Sequence, residues 1–287
     1  MRRLVALCAV LLAAATSANA QGSIPSGSRL QSIIDKKTVR IAYRADASPF
    51  SFVDDKKEPA GYTIDLCRIV ATSLGQQYGT AGIKIDWVPV TVQTRFAAIM
   101  DGKADLECGA TTVTLGRMRD VDFSSIVFVE STGVVVSRAT NIRTFSDLAG
   151  RKIAVVAGTS NERAAIEQIR MRKLQTTLVA VKDRDEGFAA LEAGKVDAYV
   201  SDKLLLVGAQ MKRPDALVML PDDLSVEPYA IVLPRGDWAL RLAVNTGLAQ
   251  FFRGNQNGEL FRRWFEPVGM RPGLLIGAAY TLGALAD

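Results

Sequence analysis

The chain of 287 residues is 48% apolar and 23% charged, a balance that excludes a disordered or fibrous protein. Its formal net charge of +5, without any run of lysines interleaved with aromatics, is too mild for a nucleic-acid partner. It contains no histidine, so the commonest general base and the commonest metal ligand are both missing.

The first predicted element is a leader. Met1-Arg2-Arg3 is a basic head, residues 4–15 are an apolar centre, and Ala18-Asn19-Ala20 is a small-residue exit. These are the parts of a secretory signal, so cleavage after Ala20 and delivery to the periplasm are expected. An uncleaved anchor is the alternative, but the apolar run is shorter than the roughly 20 residues that span a bilayer. Cys8 follows Leu7, where a lipidated cysteine wants a small neighbour, so no lipid anchor is expected.

Residues 21–29 are rich in Gly, Ser and Pro and read as loose. Residues 38–43 (TVRIAY) predict a buried strand, broken by Pro49-Phe50, and 54–61 a polar turn. Residues 62–74 carry apolar side chains at helical spacing, and 83–90 (IKIDWVPV) alternate as a strand does. A short helix over 95–101 ends at Gly102, and 104–107 form a strand. Further on, 131–137 read as a strand, 145–150 as a short helix and 151–157 as a buried strand. Residues 158–162 (GTSNE) open a helix, with Glu162 three places after Thr159 as in a capping box. A strand at 177–181, a helix at 184–194 and a strand at 196–200 follow. The chain closes with a strand at 230–233, an amphipathic helix at 240–252 that 258–265 continues, and an apolar tail at 273–286. That tail is too short to span a membrane and is expected to pack on the body.

Strand and helix alternate, which predicts an α/β protein with a mainly parallel sheet. Two such patterns succeed one another. Residues 21–130 together with 227–287 are expected to form one lobe, and 131–226 the other. The chain then crosses between lobes near 130–134 and 227–232, which makes a hinge and a ligand cleft.

The segment from Glu107 to Arg117 (ECGATTVTLGR) reads as a strand end, a bare turn, a hydroxyl pair and an arginine about one helical turn later. A helix start with free N–H groups beside a guanidinium makes a socket for a carboxylate. Arg119 is as close in sequence, so a surface role for Arg117 is the alternative. Cys67 and Cys108 either pair as a disulfide in an oxidising compartment or remain buried thiols. Two thiols supply too few ligands for zinc, and no catalytic set stands out, so neither a metal, a cofactor nor an enzyme is expected.

Gly61–Cys67 (GYTIDLC), residues 89–95 (PVTVQTR), 105–112 (DLECGATT), 122–124 (DFS), 147–150 (DLAG), 158–160 (GTS) and 191–198 (LEAGKVDA) run in a familiar order over nearly the whole mature chain. The chain resembles the periplasmic solute-binding proteins of polar amino-acid ABC transporters (family 3), and among them the glutamate/aspartate-binding proteins. The resemblance implies a two-lobed type II periplasmic-binding-protein fold, an amino-acid ligand, an ABC permease in the inner membrane as partner, and a monomer. It implies that Arg117 and Thr112 hold the α-carboxylate, and that Asp202 and the Ala110 carbonyl receive the ammonium; the alternative for Asp202 is an N-cap for a helix beginning near Lys203. Thr159 and Ser160 reach the ligand from the second lobe, or merely cap a helix. Arg44 and Arg95 match positions that hold a distal carboxylate. Two cations in one small volume are costly without an anion, and the alternative is that each pairs with Asp46 or Asp86. The chain departs from the family at Val92 and Ala110, where serine is usual, and at Arg184, where histidine is usual. The distal pocket is therefore altered, and glutamine, asparagine or another dicarboxylate stays open beside glutamate and aspartate. Phe50 is either a pocket wall or a core aromatic. A dehydratase of the cyclohexadienyl type on the same fold, with Glu107 or Asp202 as its acid or base, is the alternative function, and a detached sensor lobe a third.

Overall fold

The computed structural model describes residues 24–80, 82–212, 214–254 and 256–286. The expected leader lies outside the described residues. The chain begins α1 (Arg29–Lys36), β1 (Thr38–Arg44), the short strands β2 (Asp46–Ala47), β3 (Ser51–Val53) and β4 (Pro59–Ala60), then α2 (Tyr62–Gln77), β5 (Lys84–Val90), α3 (Arg95–Met100) and β6 (Leu106–Glu107). A 3-10 turn at Arg117–Arg119 leads into β7 (Val121–Ser137), and a second at Phe145–Leu148 into β8 (Lys152–Val156), α4 (Ser160–Met171), β9 (Thr177–Val181), α5 (Arg184–Glu192), β10 (Ala198–Asp202) and α6 (Lys203–Lys212). The chain ends β11 (Leu217–Met219), β12 (Val226–Pro234), α7 (Trp238–Arg253), α8 (Gln256–Phe265) and α9 (Leu274–Gly283).

The large sheet has the order β5-β1-β6-β12-β7-β10-β8-β9, with β11 also paired to β7. Its two flanks are parallel, but β7 and β12 run antiparallel to each other and to their outer neighbours. The mainly parallel sheet expected from the sequence is therefore a mixed one. One crossing strand leaves a lobe and the other returns to it, so the central pair must run in opposite directions. The strand expected at 131–137 is only the second half of β7, and the one at 230–233 only the middle of β12. Two register shifts interrupt their pairing, between Tyr229 and Ala230 and between Ala230 and Val232. Such bulges break the alternation of buried and exposed residues that reveals a strand.

Beyond the crossing, Val134 and Val136, Ile153 and Val155, Ala198 and Val200 all face one core with Phe145 and Leu148. The residues between them, Val135, Ala154 and Tyr199, face another core with Phe188 and Leu191 of α5. Successive strand residues point to opposite faces, so a sheet covered on both sides reads as a nearly unbroken apolar run. In the other lobe Phe50 packs edge-on to Phe128 and Tyr229 at 4.9 and 5.1 Å between ring centroids. Phe50 is thus a core aromatic and lines no part of the cleft.

Cys67 in α2 and Cys108 just after β6 form a disulfide, with their Cα atoms 6.5 Å apart. It ties the segment that leads toward Arg117 to the body of its lobe. α1 was not foreseen. Ser28 caps it by accepting from Leu30 N, and Asp237 accepts from the Ser28 hydroxyl at 2.6 Å and from Arg29 N at 2.8 Å. The tail forms α9, whose Ile276 and Ala279 are buried while Tyr280 stacks on Phe252 at 5.0 Å. Among the described residues no helix is long and apolar enough to cross a membrane.

Candidate functional site

A narrow cavity lies between the lobes, with about 30 Å³ open to water-sized molecules. Arg44, Arg95, Ala110, Thr112 and Arg117 line it from one side; Thr159, Ser160, Arg184 and Asp202 line it from the other. All nine residues singled out in the sequence therefore share one space.

Each is placed by a local structural reason. Arg44 ends β1, Arg95 opens α3, Arg184 opens α5 and Asp202 ends β10. Ala110 and Thr112 lie on a segment pinned along β12, where Ala230 N donates to Thr111 O and Val113 N to Pro228 O. Arg117 was expected one turn into a helix. The structure has only a 3-10 turn there, too short to offer a helix N-terminus as an anion socket. The guanidinium is held instead by a 2.6 Å bond from Nη1 to Thr112 O and by the face of Phe96, 5.3 Å away. Arg119, by contrast, is exposed.

The charges are unevenly paired. Arg44 grips Asp46 with two bonds, Nε to Oδ1 at 2.9 Å and Nη2 to Oδ2 at 2.8 Å. Burial depresses the Arg44 guanidinium, but Asp46 more than offsets this and holds it above its ordinary value. Arg95 is 2% exposed and donates Nη1 to Val92 O at 2.8 Å, while its Nε has no partner among the described residues. It makes no ion pair with any described residue, and Asp86 bonds to Lys84 instead. Burial pushes Arg95 down to about 9, opposed by Glu107 and aided by the cations Arg44 and Arg117. Arg184 is likewise lowered by burial, opposed by Asp46, and among the described residues its side chain donates a hydrogen bond to the Leu205 carbonyl at 3.2 Å. A buried cation without a counter-ion is costly, so this arrangement favours an anion between the arginines.

On the opposite wall Asp202 is raised by burial and, next, by the like charge of Glu227. Asn161, which sequence reasoning missed, donates Nδ2 to Asp202 Oδ1 at 3.2 Å and to the Thr132 hydroxyl at 2.8 Å. Glu227 was also missed. It accepts from Thr112 Oγ1 at 2.6 Å, Thr132 Oγ1 at 3.1 Å and Ser225 Oγ at 2.5 Å. Neither residue carries a sequence signal, because their partners are distant in the chain. Thr159 caps α4 by accepting from Glu162 N at 3.1 Å, and its hydroxyl donates to Val156 O at 2.7 Å. Glu162 returns a bond to Gly158 N at 2.8 Å, one residue before the cap. The Ser160 hydroxyl meets that of Thr112 across the cleft at 3.1 Å. Val92 and Ala110 put apolar surface where hydroxyls would add donors. The cavity thus offers guanidinium forks on one wall and a carboxylate on the other.

Three comparisons agree with this geometry. The sequence model described as bacterial extracellular solute-binding proteins, family 3, matches residues 39–267. The chain is 27% identical over 269 residues to the glutamate/aspartate import solute-binding protein of Salmonella typhimurium, covering 93% of this chain and 89% of that one. It is 30% identical over 243 residues to the L-glutamate/L-aspartate-binding protein of Pseudomonas aeruginosa, covering 83% and 80%. The crystal structure of an ancestral amino acid-binding protein, a precursor of cyclohexadienyl dehydratase, matches with a TM-score of 0.71 at 29% identity over 83% of this chain and 99% of that one. The two-lobed type II fold is thereby established, and the named curated relatives are transport binding proteins rather than enzymes.

Proposed function

The chain belongs to the bacterial extracellular solute-binding proteins of family 3, and from that premise we propose that it captures an acidic amino acid, glutamate or aspartate, for an ABC importer. The observation that carries this reading is a set of guanidinia around one cavity: buried Arg95 and partly buried Arg184, neither in an ion pair among the described residues, together with Arg117 and with Asp202 on the opposite wall. Arg117 takes the α-carboxylate and Asp202 the ammonium. Arg95 and Arg184 take the distal carboxylate, and Arg44 supports them as a pair already neutralised by Asp46. Thr112, Ser160, Thr159 and the Ala110 carbonyl complete the enclosure.

In this reading the protein is exported behind its leader to the periplasm and works as a monomer. The lobes, 21–130 with 227–287 and 131–226, close on the ligand, and a membrane permease recognises the closed form. A dehydratase on this fold has less support, since the named curated relatives are transport binding proteins.

A thermal-shift screen of the natural amino acids, followed by calorimetry, tests the proposal. Glutamate or aspartate is expected to bind with a free energy of about −8 kcal/mol or better. At 100 times the dissociation constant it stabilises the protein by about 2.7 kcal/mol. If no polar amino acid shifts the transition or releases heat, the proposal fails.

A further inference from the structure

Behind the cavity lies a carboxyl group that the ligand roles above leave unused. Glu107 ends β6, paired with Ala42 of β1 and Val232 of β12. It is fully buried, and its carboxyl oxygens have no hydrogen-bonding neighbour among the described residues beyond the Thr111 hydroxyl, which is otherwise unpartnered. Its side chain folds back over Gly109. A Cβ at that position would collide with Glu107 Oε1 and lie 3.5 Å from Arg44 Cδ, so the bare glycine is what admits the carboxyl. The charged groups acting on it are Arg95 from α3, Arg44 from β1 and Arg117 from the 3-10 turn. Asp202 of β10 and Glu227 of β12 act on the same Arg117 guanidinium.

Glu107 and an anionic ligand therefore compete for one set of cations. Burial holds the Glu107 carboxyl above the usual range, while Arg95, the Thr111 hydroxyl, Arg44 and Arg117 pull it back toward ionisation. A second anion among these arginines removes part of that pull and adds like-charge repulsion, which favours the protonated form. We propose that Glu107 determines the charge specificity of the cleft: it balances the arginines while the cleft is empty and takes up one proton from solvent when an anionic side chain enters. The reaction is a carboxylate plus a proton giving a carboxylic acid, so the net charge of the occupied site stays constant. An uncharged amide side chain drives no such uptake and leaves Glu107 competing for the arginines. The inference rests on the acidic-ligand reading above.

Calorimetric titration of the purified protein with L-glutamate, in phosphate and in Tris at the same pH, reads the proton directly. The two heats should differ by the uptake of up to about one proton per ligand, and L-glutamine should show much less. In wild type, affinity for L-glutamate should fall by up to about tenfold per pH unit once Glu107 is ionised in the empty protein. Glu107→Gln should abolish both the buffer dependence and this slope, and bind L-glutamate at least about tenfold more tightly than wild type at the alkaline end. Equal wild-type heats in the two buffers overturn the inference alone, without need of a folded variant. Uptake that survives in Glu107→Gln also overturns it, by assigning the proton to another carboxyl such as Asp202 or Glu227. Heat with no amino acid at all sinks the proposed function and this inference together.

Discussion

Arg117 and Arg119 are two positions apart, yet the first faces the cleft over Phe96 and the second faces water. A guanidinium that binds a carboxylate in a desolvated site is worth far more than one at the surface. Arg117→Ala should therefore weaken amino-acid binding by at least about 100-fold in calorimetry, with Arg119→Ala within about threefold of wild type. Identity of the residue was legible here because the flanking hydroxyls and glycine mark the segment. Its support was not, since Phe96 reaches it from α3 and the expected helix shrinks to a 3-10 turn. Arg44 was harder to read. Its partner Asp46 is only two residues away, but whether both forks of a guanidinium meet one carboxylate depends on the bend between β1 and β2.

At the scale of elements, the crossing strands β7 and β12 set Glu130 directly opposite Glu227. Glu227 is satisfied by three hydroxyls, whereas Glu130 accepts from Ser131 N through Oε1 and its Oε2 has no partner among the described residues. Burial pushes Glu130 up to about 8 from an ordinary 4.5. A carboxyl that holds its proton more tightly in the folded state favours folding at low pH, and this contribution is lost as pH rises from about 4.5 to about 8. Urea unfolding followed between pH 5 and 8.5 should show stability declining by on the order of a few kcal/mol, and Glu130→Gln should flatten that decline. An unchanged slope in the variant would remove Glu130 as its source. Neither glutamate was marked by the sequence, because register across two strands nearly a hundred residues apart decides that they meet.

For the whole molecule, the lobes touch on both rims of the cavity. Thr112 meets Ser160 at 3.1 Å, and Gln93 Nε2 donates to Lys182 O at 2.9 Å. If closure traps the ligand, small-angle scattering should give a smaller radius of gyration with saturating L-glutamate than without it. Gln93→Ala removes one net hydrogen bond from the closed form only, so it should weaken binding by about threefold while leaving the unliganded scattering curve unchanged. Equal curves with and without ligand would argue for a cleft that does not move.

The sequence by itself determined most of the succession of strands and helices, because apolar periodicity and turn chemistry act over a few neighbouring residues; the side chains offered to the cleft were named through the resemblance, which left out Asn161. Only the tertiary structure decided which of those charges stand alone. Arg44 forms an ion pair, and among the described residues Arg95 and Arg184 form none; Glu227 is satisfied by three hydroxyls while Glu130 keeps only one of its oxygens bonded. Electrostatic energy depends on distances of a few ångströms between segments remote in the chain, and on how completely water is excluded around them. Neither quantity is written in any local stretch of residues.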